Sequence, residues 1–575
     1  MEKKIVNINN IWANYTVDVL QKLCVKYACI SPGNRNSPLI SAFTLHPKIK
    51  CTSHIDERSA GYFALGLAKY SKSPVVLICT SGTAPANYYP AVIEANLSKI
   101  PLIILSADRP SKLRGTGANQ TINQKDLFGY QVRMFKDVGL PEIDFGNLAQ
   151  SLTKAVCLSL GQNIDGKIIN PSGPVHLNFP FQIATSGEKG VESSNLITNY
   201  KLRITNSDRT KSNKANIKPI PQHTKPLIVC GRMDDTSVRI PILKFASAIG
   251  APIFADPSSQ IRYGMESPNI VTGYDTFLKC VDVEPDLIIR FGAKPTSKTL
   301  CNLLDNYNFK TMLVDQTGRF NDDCQTIIQS NIIDFCEFQI KHFDDKPINT
   351  EWLKKIQTIE ISTQMALFSE QSFNKLFEGS IARTCISSLP SNSNFFIGNS
   401  MPIRNVDSFT PNSGKIIRVF VNRGASGIDG IVSSALGVAS ESNTNNNLLL
   451  IGDLSFYHDM NGLLTAKRYE IDLTIVVVNN NGGGIFSFLP ISENKEKHFK
   501  SFWTTPHNLD FEKIAEVYGC QYSKIKSITE LYDAITNSFE MQGLKIIEVP
   551  IDTEENVKCH REILEKLSRK LSQIN

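Results

Sequence analysis

The chain has 575 residues, of which 41% are hydrophobic and 20% charged, and its formal net charge is +6 at pH 7. This length is too great for one hydrophobic core, so several domains are expected. The mild charge contains no dense Lys/Arg run, and this argues against a nucleic-acid-binding protein.

Short apolar strands alternate with helices along the first third of the chain. A helical face over residues 11–26 precedes the strand YACISPG, and strands over 74–82 and 100–108 flank a helix at 84–97. The block closes at the apolar run 173–181. This alternation predicts a parallel sheet covered by helices.

Two more blocks repeat the pattern. The middle block has strands at 226–232, 251–257, 286–293 and 311–316, and the last block has strands at 394–400, 416–424, 447–453, 473–483 and 544–550. The predicted fold class is therefore α/β, with three parallel-sheet domains over 1–185, 225–345 and 350–575. A polar stretch rich in Ser, Asn and Lys predicts a linker over 186–224.

The cellular compartment follows from the cysteines and the apolar runs. Thirteen cysteines are scattered without a CxxC pair, which indicates free thiols and no zinc site. No secretory signal is recognisable, and no apolar run reaches the roughly 18 residues of a membrane span. We expect a cytoplasmic protein without membrane partners, and a plastid stroma stays open as an alternative.

The last block contains a candidate metal and diphosphate site. One strand ends in Gly452-Asp453, a helix follows, and the next strand ends in Asn479-Asn480. A βαβ crossover brings both ends to the same edge of the sheet, where such folds bind ligands. The Asp453 carboxylate, the Asn480 amide oxygen and the Gly482 carbonyl suit Mg²⁺, and the helix N-terminus suits a diphosphate. The alternative is an ordinary helix cap followed by an Asn-Gly turn.

This Gly-Asp and Asn-Asn pattern resembles the motif of thiamine diphosphate-dependent enzymes, although Leu454 stands where a third glycine is usual. The resemblance implies thiamine diphosphate with Mg²⁺ or Mn²⁺. It also implies a glutamate that acts on the cofactor's aminopyrimidine ring, for which Glu57 in TSHIDERSAGYFALGLAKY is the best candidate. Taken alone, Asp56-Glu57 is an ordinary helix N-terminal pair. His54 is expected to be structural.

Further strings resemble one branch of that family. They include SPGNRNSPL, HIDERSAGYFALGLAK, TSGTAPANYYPAVIEA, LSADRP, GANQTINQ, GNSMPIRN, NRGASGIDG and GDLSFYHDMNGL. That branch forms 2-succinyl-5-enolpyruvyl-6-hydroxy-3-cyclohexene-1-carboxylate in menaquinone and phylloquinone biosynthesis. The resemblance implies a transferase that decarboxylates 2-oxoglutarate and adds the resulting succinyl carbanion equivalent to isochorismate. It also implies a homodimer or homotetramer with active sites shared between chains.

The same motifs imply the site residues. Cofactor contacts are implied at Glu57, Ser81, Gly82, Ser400, Met401, Gly427, Ile428, Gly452, Asp453, Leu454, Ser455, Asn480, Gly482, Ile485 and Phe486. Substrate contacts are implied at Arg35, Arg109, Gln120, Lys298, Ser400, Arg404, Arg423, Ile485 and Phe486. Several guanidinium groups suit two dicarboxylate substrates. Thr299 stands where some relatives place a second basic residue, which leaves the substrate contacts near Lys298 open.

Two alternative functions remain. An acetolactate synthase-like or 2-oxo acid decarboxylase activity on the same fold would need a small apolar pocket, and the basic set argues against it. A non-catalytic thiamine diphosphate sensor would be favoured by the loss of Glu57, Asp453 or Asn480, and all three are present.

Overall fold

The computed structural model describes residues 7–182, 217–306, 308–319, 321–343, 350–492 and 498–572. The predicted linker over 186–224 lies outside these ranges up to residue 216. The chain forms two compact units: the first contains Met1–Thr210, Asn422–Glu441 and Asp459–Tyr469, and the second contains Lys211–Val421, Ser442–His458 and Glu470–Asn575.

The described residues contain strands and helices in alternation. The strands are β1 Tyr27–Ile30, β2 Lys50–Ser53, β3 Val75–Cys79, β4 Leu102–Asp108, β5 Phe135–Asp137, β6 Val175–Pro180, β7 Pro226–Cys230, β8 Ile253–Ala255, β9 Ile270–Val271, β10 Leu287–Phe291, β11 Lys310–Val314, β12 Thr326–Ile328, β13 Ser393–Ile397, β14 Ile417–Phe420, β15 Asn447–Gly452, β16 Leu473–Asn479, β17 Gln521–Lys524 and β18 Leu544–Pro550. The helices are α1 Ile8–Lys22, α2 Ser37–Leu45, α3 Glu57–Ser71, α4 Ala84–Asn87, α5 Tyr89–Ser98, α6 Gly146–Ser159, α7 Arg239–Ile249, α8 Tyr274–Phe277, α9 Lys298–Leu304, α10 Ile332–Phe343, α11 Glu351–Phe368, α12 Glu378–Ser388, α13 Met401–Phe409, α14 Ile431–Ala439, α15 Asp453–Asp459, α16 Leu463–Tyr469, α17 Phe511–Tyr518, α18 Ile528–Ser538 and α19 Thr553–Leu571.

The first unit is built on a six-stranded parallel sheet in the order β2-β1-β3-β4-β6-β5. Its central strands β3 and β4 are buried along their whole length, as expected for a sheet covered on both faces. Helix α14, from the last third of the chain, packs against α3 in this unit. The contact is close, because a Cβ added at Gly66 would lie 1.9 Å from the carbonyl oxygen of Ser434.

The second unit contains two more six-stranded parallel sheets, in the orders β12-β11-β10-β7-β8-β9 and β14-β13-β15-β16-β18-β17. A buried ion pair joins their layers: Arg262 donates to Asp407 Oδ1 at 3.1 Å and to the carbonyl oxygen of Thr410 at 2.8 Å. The α/β fold class with three parallel sheets is therefore confirmed, while the domain boundaries stay a prediction.

Two expectations about the chain's chemistry bear on the compartment. All thirteen cysteines lie in the described ranges, and each is a free thiol. Across the described part of the chain, the helices are too short or too polar to cross a membrane.

Candidate active site

The carboxyl edge of the first sheet gathers four predicted residues. Arg35 follows β1, Ser81 follows β3 and Arg109 follows β4, while Glu57 begins the helix after β2. Because the strands are parallel and adjacent, these four positions share one edge of the sheet.

Hydrogen bonds hold three predicted residues, Ser81, Gly82 and Gln120, in and around the turn after β3. Ser81 Oγ donates to the carbonyl oxygen of Gln120 at 2.9 Å, and Gln120 Nε2 donates back to the Ser81 carbonyl oxygen at 3.1 Å. The Gly82 N–H donates to Gln124 Oε1 at 3.0 Å. Reciprocal bonds of this kind fix the turn after β3 against the 117–124 segment.

Two arginines bring positive charge to the same edge. Arg35 is buried at 8% exposure and donates to the carbonyl oxygen of Phe181 at 3.1 Å, while its Nε has no partner in the described residues. Arg109 donates to the carbonyl oxygen of Asn119 at 3.1 Å. Burial lowers the pKa of Arg35, and the positive charge of Arg109 lowers it further. An anionic ligand would relieve both effects.

Glu57 is the first residue of α3. The helix cap is provided by Asp56, whose Oδ1 accepts hydrogen bonds from the N–H groups of Arg58 at 2.8 Å and Ser59 at 3.3 Å. Partial burial raises the pKa of Glu57, with a smaller contribution from the Asp56 charge. Asp56 therefore caps α3, and the Glu57 carboxylate is available for another role.

His54 fits the structural role expected of it. Its ring lies 2.9 Å from Thr52 Oγ1 and 3.1 Å from Thr465 Oγ1, fully buried. Burial lowers the pKa of His54 to about 3, so the ring stays neutral.

The carboxyl edge of the third sheet holds the predicted metal ligands. Asp453 begins α15 directly after β15 and is buried. Its Oδ2 accepts the Gly482 N–H at 2.9 Å and its Oδ1 accepts the Leu454 N–H at 2.7 Å. The structure thus brings the start of α15 and the turn after β16 together at one edge of the sheet.

Asn480 provides the test of whether a cation fits here. Its Nδ2 donates to Glu378 Oε1 at 3.5 Å, while its Oδ1 is buried without a hydrogen-bond partner in the described residues. A buried acceptor without a donor is costly unless a ligand satisfies it. The described residues contain no group of three or more His, Cys, Asp or Glu side chains that could hold a metal ion. Any cation here would therefore need amide and backbone oxygens, which Mg²⁺ accepts.

Two residues of this edge were missed from the sequence. Buried Glu378 accepts hydrogen bonds from Asn480 and, at 2.9 Å, from Asn405 Nδ2. His507 Nδ1 accepts the Leu509 N–H at 3.0 Å, which leaves the ring proton on Nε2, 3.2 Å from Asp453 Oδ2. Neither residue belongs to a recognisable motif, and both lie far from Asp453 in sequence.

The other predicted residues take separate places. Ser400 has a φ of 69° at the start of α13, and Arg404 donates to its carbonyl oxygen. Ile485 and Phe486 are half-buried in the turn Gly484–Phe488. Lys298 begins α9 beside the second sheet with an exposed side chain. Gly452 ends β15, and Ser455 is buried in α15.

Arg423, Gly427 and Ile428 belong to the first unit. They lie in the loop between β14 and α14, which we call the 422–430 loop, and Ile428 is 39% exposed. The predicted residues therefore include two groups, one in each unit, which we call half-sites: Glu57 with Arg35 and Arg109 in the first, and Asp453 with Asn480 in the second.

Comparison with known proteins decides the family. Three family models match: the N-terminal thiamine pyrophosphate-binding domain at 12–127, the middle domain at 199–397 and the C-terminal thiamine pyrophosphate-binding domain at 416–549. The 2-succinyl-5-enolpyruvyl-6-hydroxy-3-cyclohexene-1-carboxylate synthase of Bacillus cytotoxicus is 38% identical, over 96% of this chain and 95% of its own. The synthase of the same name from Listeria innocua is 39% identical, over 99% and 100%.

The chain belongs to this synthase family. Its predicted thiamine diphosphate cofactor and its enzyme class, a transferase, are thereby confirmed. Solved structures share the fold: a benzoylformate decarboxylase from Polynucleobacter necessarius matches with a TM-score of 0.72 at 17% identity, over 94% of this chain and 98% of its own. A putative thiamin diphosphate-dependent enzyme from Mycobacterium smegmatis matches with a TM-score of 0.69 at 16% identity, over 95% and 99%. The roles of individual residues stay predictions.

Proposed function

We propose that this chain decarboxylates 2-oxoglutarate and joins the remaining four carbons to isochorismate, releasing CO₂ and 2-succinyl-5-enolpyruvyl-6-hydroxy-3-cyclohexene-1-carboxylate. The observation that carries the proposal is the pair Arg35 and Arg109 at the carboxyl edge of the first sheet. Burial and the charge of Arg109 lower the pKa of Arg35, and the charge of Asp108 offsets them only in part, so an anionic ligand would stabilise the guanidinium. Both substrates carry two carboxylates, which guanidinium groups bind well.

Thiamine diphosphate, when bound, supplies the reactive carbon and the electron sink that decarboxylation of a 2-oxo acid requires. We propose that Asp453, Asn480 and Gly482 hold Mg²⁺ and that the N-terminus of α15 faces the diphosphate. The orphaned Oδ1 of Asn480 supports this assignment. Gly482 would contribute its carbonyl oxygen, which also accepts the Gly484 N–H at 3.0 Å.

Glu57 is proposed as the group that holds a proton at the cofactor's aminopyrimidine ring. Burial raises the pKa of this carboxyl, which favours the protonated form that can donate a hydrogen bond to the ring. Because Asp56 already caps α3, replacing Glu57 should leave the helix intact.

The test separates this function from its two alternatives. The purified protein with thiamine diphosphate and Mg²⁺ is given 2-oxoglutarate or pyruvate, with and without isochorismate, while CO₂ and products are followed by mass spectrometry. The proposal expects CO₂ release from 2-oxoglutarate. It expects the succinylated product only when isochorismate is present. Acetolactate from pyruvate would support the first alternative, and cofactor binding without any CO₂ would support the sensor.

We further propose that the active form is a homo-oligomer whose sites combine half-sites from two chains. The experiment mixes inactive Glu57→Gln with inactive Asp453→Ala and allows subunits to exchange. In a dimer with shared sites, half the dimers are mixed and each has one intact site, so about a quarter of the wild-type activity returns. If mixing restores nothing despite demonstrated exchange, each chain forms its own sites.

A further inference from the structure

A buried carboxylate holds the beginning of the 422–430 loop. Glu94, on α5, is 2% exposed. Its carboxylate accepts the Gly424 N–H at 2.9 Å, the Ala425 N–H at 2.7 Å and the hydroxyl of Ser98 at 2.6 Å. Two consecutive backbone N–H groups directed at one carboxylate form an anion-binding nest. The loop backbone is thus bound to a helix from the first third of the chain.

The charge of Glu94 is balanced by an equally buried lysine. Lys69, on α3, is 1% exposed, and its Nζ lies 3.9 Å from Glu94 Oε1. The same ammonium donates to Asn422 Oδ1 at 2.6 Å, and Asn422 Nδ2 donates to Ser434 Oγ at 2.9 Å. Lys69 therefore also holds Asn422, the first residue of the loop, and Asn422 in turn contacts Ser434 of α14.

An aromatic ring holds the end of the loop. The Tyr62 hydroxyl, on α3, donates to Asp429 Oδ2 at 2.7 Å. Gly430 has a φ of +68°, and a Cβ there would lie 1.9 Å from the Tyr62 ring. The end of the loop is therefore held by one hydrogen bond to the Asp429 side chain and by the close approach of the Gly430 backbone to the ring.

We propose that Glu94 and Tyr62 are positioning residues that hold the 422–430 loop at its two ends and so set the places of Arg423 and Ile428. Arg423 lies between two held residues, Asn422 and Gly424, and Ile428 directly precedes held Asp429. A buried ion pair adds little to stability compared with an apolar pair of the same volume. We therefore attribute the Lys69–Glu94 pair to the position in which it holds the loop backbone. The inference rests on the proposed function for the roles of Arg423 and Ile428.

The test compares each positioning residue with a matched control in the same unit. Tyr62→Phe removes a hydroxyl bound to a carboxylate, and the control Tyr27→Phe removes the hydroxyl that donates to Glu441 Oε2 at 2.9 Å, away from the loop. Glu94→Gln is paired with Glu441→Gln, which removes the negative charge that accepts from Tyr27 and Lys50. Thiamine diphosphate affinity is measured by calorimetry with Mg²⁺, and KM and kcat are measured for both substrates.

We expect Tyr62→Phe and Glu94→Gln each to raise the dissociation constant of the cofactor and the KM for the substrates by about tenfold. Ligand binding must then restore the position of the loop without the lost hydrogen bond to a charged group, whose free energy corresponds to about that factor. The two control variants should stay within about twofold of wild type. Wild-type affinity and wild-type KM in both positioning variants would overturn the inference.

A double variant separates positioning from simple destabilisation. Glu94→Gln leaves Lys69 buried without its counter-charge, whereas Glu94→Gln with Lys69→Met removes both charges and should recover the thermal midpoint. Cofactor affinity should stay low in the double variant, because the nest at Gly424 and Ala425 still lacks its carboxylate. Recovery of affinity together with the midpoint would assign the pair a purely structural role. Cofactor titration needs no turnover, so it remains informative even if the proposed reaction fails in wild type.

Discussion

The contact between α3 and α14 allows a prediction in which two effects of opposite sign compete. Gly66 lies in the middle of α3, where replacing glycine by alanine normally stabilises a helix by about 1 kcal/mol. A Cβ at Gly66, however, would lie 1.9 Å from the Ser434 carbonyl oxygen and 2.9 Å from its Cα. Since Cβ contacts below 3.0 Å essentially do not occur, the helices would have to separate by about 1 Å, and overpacking of this kind costs about 3 kcal/mol.

The net effect of Gly66→Ala is therefore a loss of roughly 2 kcal/mol, because the packing cost exceeds the gain in helix propensity. For a unit of this size we expect the thermal midpoint to fall by roughly 4–8 °C. The assay is thermal unfolding followed by circular dichroism, with Gly146→Ala as control. At Gly146, the first residue of α6, an added Cβ meets only the side-chain oxygen of Asp144 at 3.2 Å. A midpoint in Gly66→Ala equal to or above that of wild type would refute the reasoning.

Three further outcomes are expected. Glu57→Gln should retain cofactor affinity in calorimetry but lose most CO₂ release, and near wild-type turnover would assign the activating role elsewhere. Asp453→Ala should abolish Mg²⁺-dependent cofactor binding, and affinity that is unchanged when EDTA removes the metal would contradict this. Burial lowers the pKa of His54 and His176 from 6.5 to about 3. Both histidines therefore take up protons near pH 6.5 only in the unfolded state. The free energy of unfolding should have its full value above that pH and should fall by about 1.4 kcal/mol per histidine per pH unit below it. Thermal midpoints between pH 7.5 and 5.5 check this, and His176→Gln should reduce the slope.

The sequence was sufficient to predict the long buried strands, because each is marked by an unbroken apolar run. Strands β15 and β16 read as long apolar runs, and their βαβ spacing predicts that Asp453 and Asn480 lie at one edge of the sheet. The structure pairs the two strands in parallel and places Gly482, two residues after Asn480, in contact with Asp453. The short edge strands escaped notice because their residues carry little apolar pattern: β17 has the sequence QYSK and β2 has KCTS. An edge strand pairs with only one neighbouring strand and can be half exposed, so the periodicity of apolar residues does not reveal it.

Residues that act through long-range contacts could not be found from the sequence. Glu94 lies in the helical sequence YPAVIEANLS. A single charged residue among apolar ones is typical of the water-exposed face of a helix, so the sequence predicts that Glu94 is exposed. The structure buries it against Gly424, which is more than 300 positions away. Glu378 and His507 escaped for the same reason, because their partners Asn480 and Asp453 are neighbours only in the fold.

The two half-sites divide the chemistry by charge. The edge of the third sheet offers oxygen ligands and a helix N-terminus, which suit a cation and the diphosphate that accompanies it. The edge of the first sheet offers Arg35 and Arg109, which suit anionic substrates, and the carboxylates of Glu57 and Asp108. Asp108 is paired with Arg114, so Glu57 is the carboxylate that suits one proton transfer. Changes at Asp453 or Asn480 should therefore act on cofactor affinity, whereas changes at Glu57 should act on turnover. The 422–430 loop is the exception: it contributes a predicted substrate ligand, Arg423, and a predicted cofactor contact, Ile428. Loosening it should therefore affect both constants together, and this distinguishes a positioning residue from a member of either half-site.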